Sequence, residues 1–225
     1  MELGGNAPFI VFQSADIDRA VEGCMMAKFL NAGQACIAAN RILVHESLYS
    51  EFVEKLGRQV NRLTVGNGLD DGISVGPLVN SRAFERVSTL LGTSQHETIT
   101  KPDSNPSPFV SPRVVMCGTD HDTPLFHNEI FGPIAPVYSF SSEEEAVKLA
   151  NNSRYGLHAY IFTQDLAQSW RVSEELEYGM VGVNEGAVSS ANNPFGGWKE
   201  SGIGREGGHV GIHEFQEEKL VCFGL

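Results

Sequence analysis

Leu3-Gly4-Gly5-Asn6-Ala7-Pro8-Phe9-Ile10-Val11-Phe12-Gln13-Ser14 opens the chain with an apolar run that stops at two polar residues. A short apolar run bounded in this way and followed by a helical pattern reads as a buried strand from Leu3 to Phe12, with a helix cap at Gln13 and Ser14. Ile17, Ala20, Val21, Cys24, Met25 and Phe29 then give residues 16–30 one apolar face that can pack on a sheet. Asn31-Ala32-Gly33-Gln34 breaks that helix, and Arg41–His45 reads as the next strand. Ser47 caps a second helix with Leu48, Phe52, Val53, Leu56 and Val60 on one side. Strand, helix, strand and helix in succession decide the class: α/β, a mostly parallel sheet with flanking helices.

Farther along, Gly66–Gly76 reads as a loop and Asn80–Leu91 as a third helix. Thr93–Pro112 reads as a polar, proline-bearing stretch around one short strand. The alternation resumes with strand Ile134–Phe140, helix Ser142–Asn152 under a Ser142/Glu145 capping box, strand Ala159–Thr163, helix Leu166–Leu176 and strand Met180–Asn184. Ile212–Phe223 is apolar and polar by turns, which suits a strand that pairs outside the core, with another subunit.

The 225 residues carry 16 Lys plus Arg against 28 Asp plus Glu, a formal charge of -12 that repels nucleic acid and anionic membranes. Neither is an expected partner. No apolar stretch approaches the roughly 18 residues that a membrane-spanning helix needs. Cys24, Cys36, Cys117 and Cys222 form no CxxC pair, which argues against a zinc site and against a disulfide-dense secreted scaffold. With no basic leader before Pro8–Phe12, the expected location is cytoplasmic, with the mitochondrial matrix as the alternative.

Cys36 follows a loop of small residues at a helix-to-strand junction, where a thiol is accessible and backbone N–H groups can stabilise a thiolate. A lone cysteine is, however, more often a small buried hydrophobe, and Cys24 on the apolar helix face is assigned to the core. Glu2 stands beside Gly4 and Gly5, which give a carboxylate the close access that a general base needs, although a solvated surface role is the commoner one for such a residue. Glu129 and Phe131, at a turn before a strand, could accept from ribose hydroxyls and flank a flat ring, or be a solvated turn residue and a core ring. The glycine-rich segment Pro194–Gly208 matches neither GxxxxGK[ST] nor a GxGxxG turn opening a helix, so it reads as a structural loop near a substrate mouth.

Glu2-Leu3-Gly4-Gly5, Asn31-Ala32-Gly33-Gln34-Ala35-Cys36, Glu129-Ile130-Phe131-Gly132-Pro133 and Pro194-Phe195-Gly196-Gly197 together resemble, in order and spacing, the signature blocks of the aldehyde dehydrogenase superfamily. Gly179–Gly186, the Ser189-Ser190 pair and the ending Lys219–Leu225 resemble its succinate-semialdehyde branch. The resemblance implies a catalytic domain over residues 1–211 and a C-terminal oligomerisation strand over 212–225. It also implies NAD or NADP as cofactor, a small-molecule aldehyde as substrate, and a homo-oligomer.

By the same resemblance, Cys36 is the nucleophile and Glu2 the base that activates water against a thioester. The Cys36 backbone N–H is one oxyanion donor, Glu129 and Phe131 touch the nicotinamide ribose and ring, and Ser189 meets the far carboxylate of the substrate. The family's dinucleotide-binding domain is expected upstream of Glu2 and is absent from this sequence. The 225 residues are therefore expected to be a very poor dehydrogenase by themselves, with Glu2 frayed at a terminus. Leu30 stands where many members of the branch have an Arg that pairs with the substrate carboxylate, which makes an uncharged aldehyde an alternative to succinate semialdehyde. Ala38 stands where some members have a second cysteine. The competing reading is a non-catalytic remnant that keeps the fold for stability or subunit contact; a cofactor-independent thiol hydrolase ranks third.

Overall fold

The structure, a computed structural model, describes residues 1–100 and 108–224. In chain order the elements are β1 (Ala7–Val11), α1 (Ile17–Phe29), a 3-10 turn (Leu30–Gly33), β2 (Ala39–His45), α2 (Glu46–Val60), α3 (Ser81–Gly92), β3 (Arg113–Gly118) and α4 (Pro124–His127). There follow β4 (Ile134–Phe140), α5 (Glu143–Asn151), β5 (Tyr155–Gly156), β6 (His158–Phe162), α6 (Leu166–Glu175), β7 (Met180–Val183), β8 (Trp198–Lys199) and a second 3-10 turn (Gly211–Phe215). Six strands form one sheet in the order β3-β4-β2-β1-β6-β7, every neighbouring pair parallel. Two-residue β5 and β8 pair antiparallel beside it.

The unbroken apolar run at the start has its explanation in the sheet, which is covered on both faces as parallel sheets require. Phe9, Val11, Ile42, Val137, Tyr160 and Phe162 pack under α1 and α2 on one face. Ile10, Leu43, Tyr138, Ala159 and Ile161 meet α3 to α6 on the other, through Val87, Leu125, Ala146 and Val172. Phe9 stacks on Phe162 with ring centroids 4.7 Å apart, and the Cys24 thiol is buried among these side chains as expected.

Several boundaries differ from the sequence reading. β1 begins at Ala7, because the Leu3 N–H is taken by the Ser201 carbonyl at 2.9 Å and that segment belongs to a loop. Asp16 caps α1, its Oδ1 accepting from the N–H groups of Asp18 and Arg19; Ser14 instead bonds to Thr163 Oγ1 at 2.8 Å. His45 caps α2 by accepting from Ser47 N–H. Ser142 caps α5, while the returning Glu145 carboxylate accepts from Ser141 N–H, one residue earlier than a capping box places it. β3 and α4 are unanticipated. Within Thr93–Pro112, residues 101–107 lie outside the described residues, and Thr98 makes a single antiparallel bridge to Val115. After the second 3-10 turn, residues 216–224 have no regular secondary structure in the single chain, so a strand there would need a partner. Among the described residues no helix is long and apolar enough to cross a membrane.

Candidate active site

The segments that enter β1, β2, β4 and β6 carry Glu2, Cys36, Glu129 with Phe131, and Tyr155. These four strands are consecutive in the sheet, and all are parallel. Parallel strands share one amino edge, so residues far apart in sequence meet there. A cleft of about 1100 Å³ opens at that edge, lined by Glu2, Cys36, Gln34, Arg86, Glu129, Phe131, Arg154 and Tyr155 among others.

The loop bearing Cys36 is wound by two consecutive non-glycine residues in the left-handed region, Asn31 at φ 51° and Ala32 at φ 57°, followed by Gly33 at φ 71°. Each non-glycine residue so placed costs about 1–3 kcal/mol and needs surroundings that over-determine it. Gln34 N–H returns to the Asn31 carbonyl at 3.1 Å, the Asn31 side-chain amide donates to the Gln34 carbonyl at 3.0 Å, and Gln34 Oε1 accepts from Val79 N–H at 2.9 Å. Gly5 is obligatory here, because a Cβ on it would run into the Cys36 carbonyl.

Cys36 is partly buried and lines the cleft together with Glu2, whose carboxylate acts on the thiol. Burial first, and the negative Glu2 second, push the thiol up to about 12, while its own backbone N–H works in the opposite direction. The Glu2 backbone is held rather than frayed. It forms an antiparallel bridge with Gly202, the Met1 carbonyl accepts from Ile203 N–H at 3.0 Å, and the Met1 amino group donates to the Ile203 carbonyl at 2.8 Å. The glycine-rich loop thus braces Glu2. It is ordered by Phe195 and Glu206, which exchange backbone hydrogen bonds at 2.7 and 2.8 Å, and by the β5–β8 pair.

Glu129 faces the same cleft. Its Oε1 accepts from Gly5 N–H at 3.0 Å, and Arg86 on α3 holds the turn by donating to the carbonyls of Glu129 and Ile130 at 2.9 and 2.5 Å. Burial raises the Glu129 carboxyl above its usual value, opposed by the Gly5 N–H and by Arg86. Phe131, at φ 50°, shares that wall. An acceptor carboxylate beside an aromatic ring fits a flat heterocycle joined to vicinal hydroxyls, the shape of a nicotinamide riboside.

Ser189 lies in the exposed segment after β7 and does not line this cleft, and neither does Leu30, which is 73 % exposed. Sequence reasoning passed over Arg86, which stands among ordinary polar positions of a helix, and Arg41. The guanidinium of Arg41, fully buried, donates to the carbonyls of Asn6, Leu149 and Ala150 and to the Tyr178 hydroxyl, tying the entry of β1 to β2. It also missed Lys28, although a lysine spaced with Cys24 on an apolar face was the available signal.

The aldehyde dehydrogenase family model matches residues 1–221. The mitochondrial succinate-semialdehyde dehydrogenase of Oryza sativa subsp. japonica is 48% identical over 229 residues, covering 100% of this chain and 43% of that protein. The 3-sulfolactaldehyde dehydrogenase of Pseudomonas putida is 44% identical, covering 100% of this chain and 47% of that protein. The crystal structure of succinate-semialdehyde dehydrogenase from Burkholderia pseudomallei superposes with a TM-score of 0.92 at 45% identity, over 96% of this chain and 45% of that one. The chain thus spans less than half the length of the relatives it matches. Over the part it does span, the sequence match and the shared fold make it a member of the aldehyde dehydrogenase family.

Proposed function

We propose that this chain supplies the thiol and the base for oxidation of an aldehyde to a carboxylate with NAD or NADP. The observation that carries the reading is that Cys36 and Glu2 line one cleft with Glu129 and Phe131. As Cys36 Sγ adds to the aldehyde carbon, the thiol proton passes to Glu2 and the carbonyl oxygen becomes a thiohemiacetal alkoxide, which the Cys36 backbone N–H can stabilise. A nicotinamide dinucleotide, when bound, would supply the acceptor for the hydride of that carbon, and Cys36 would then hold the acyl group as a thioester. Glu2, relieved of its proton, then takes one from water, the hydroxide attacks the thioester, and the carboxylate leaves as the thiol re-forms. Glu129 and Phe131 would hold the ribose and ring in the cleft that Cys36 also lines.

Succinate semialdehyde is the substrate we assign first, on the strength of the Oryza and Burkholderia relatives. Leu30 supplies no guanidinium, so discrimination in favour of the carboxylated aldehyde should be weak compared with a site that has one.

The test is reduction of NAD and NADP at 340 nm with succinate semialdehyde and a neutral aldehyde. It is run on residues 1–225 alone and on a polypeptide that also carries a dinucleotide-binding segment. The shorter chain should give almost no rate. The longer should lose about 1000-fold or more in Cys36→Ala, the scale of removing a covalent nucleophile. A rate indifferent to Cys36→Ala would sink the proposal.

A further inference from the structure

Lys28 stands on the buried face of α1, one turn after Cys24, with its side chain fully buried. Lysine is almost never so placed without a charged partner, yet its Nζ donates to a neutral amide, Asn40 Oδ1, at 2.9 Å, and burial lowers its pKa to about 7. Asn40 is buried too, and is the second residue of β2. The two residues are the feet of the loop that bears Cys36. Between them lie Asn31 and Ala32 in the left-handed region, and Gly33, on which a Cβ would stand 3.0 Å from the Lys28 carbonyl.

A pair of apolar side chains would close this neck at least as stably, because a buried amine facing a neutral acceptor keeps much of its desolvation cost. What a hydrogen bond adds is a fixed length and direction. We propose that the Lys28–Asn40 hydrogen bond clamps the neck of the nucleophile loop, and that Lys28 is a positioning residue that holds Cys36 against Glu2. The inference rests on the reading of Cys36 and Glu2 as the reacting pair.

The experiment is alkylation of Cys36 by iodoacetamide as a function of pH, followed on the Cys36 peptide by mass spectrometry so that exposed Cys222 is counted separately. It is run on the parent chain, on Lys28→Met/Asn40→Leu, which leaves no polar group unpaired, and on Asn40→Asp, which keeps an acceptor. Thermal midpoints are read by circular dichroism. In the parent, burial and Glu2 hold the thiol up to about 12. The double variant should melt no lower than the parent, while its Cys36 midpoint falls by about one unit or more and alkylation at pH 8 rises about tenfold. Asn40→Asp should keep the parental midpoint.

An unchanged midpoint in the folded double variant overturns the clamp. So does a double variant that fails to fold, since the bond would then be a requirement of the core. If Cys36 of the parent already reacts as fast as Cys222, the Cys36–Glu2 reading itself falls, a result distinct from failure of the clamp.

Discussion

At the scale of single residues, the site holds its carboxylates and its thiol in tension. Burial first and Glu2 second raise the Cys36 thiol, so the neighbouring carboxylate opposes a resting thiolate. In Glu2→Gln the charge is gone while burial stays, and the Cys36 midpoint should fall from about 12, read as thiolate absorbance near 240 nm. A midpoint that stays put would mean that Glu2 does not touch the thiol. Glu129 carries the converse consequence for stability. Its folded pKa lies above its unfolded value because burial penalises the ionised form. Its favourable contribution is therefore fully present below the unfolded carboxyl value and is lost as pH rises through the raised folded value. Glu129→Gln removes that titration, so the melting temperature of the variant should decline less than that of the parent as pH rises through this window. Parallel decline in the two would show that Glu129 is not the group responsible.

At the scale of elements, α1 is the piece whose packing decides most, and glycine makes that packing possible. Gly23 lies against the Phe162 ring of β6, and the Gly186 backbone approaches it after β7. A Cβ on Gly23 would enter the ring. Gly23→Ala gains about 1 kcal/mol of helix propensity, but overpacking costs about 1–3 kcal/mol. The variant should melt lower by a few degrees, and a rise would show that the ring yields. The periodicity of α1 and the apolar runs of β1, β2, β4 and β6 were legible because two buried faces demand them. The caps were less so: Asp16 and His45 act where Ser14 and Ser47 were expected, since which neighbouring polar side chain turns toward a helix end depends on tertiary partners such as Thr163. β3 was invisible for another reason. Arg113–Gly118 is an edge strand just after the proline-bearing stretch, and it is completed by pairing with β4.

At the scale of the whole molecule, the cleft exists because parallel neighbours bring their entry loops to one edge. The Gly5–Glu129 hydrogen bond spans 124 positions of sequence, which no local pattern encodes. Cys36, Glu2 and Glu129 each allowed a bland reading in their own loops, and only the order of motifs along the chain singled them out together. The tail poses the opposite case. Phe215, Leu220 and Phe223 are 87%, 94% and 83% exposed, and residues 216–224 make no strand in the single chain. Apolar residues left open in this way suit pairing with a second copy, a self-complementary contact of the kind that homo-oligomers use. Deleting residues 216–225 should therefore lower the molar mass measured by light scattering on a sizing column, while the melting transition of the core, to which the tail contributes no buried apolar side chain, should hardly move. An unchanged molar mass would remove the tail from the assembly, and a collapse of the core would show that the tail folds back on its own chain.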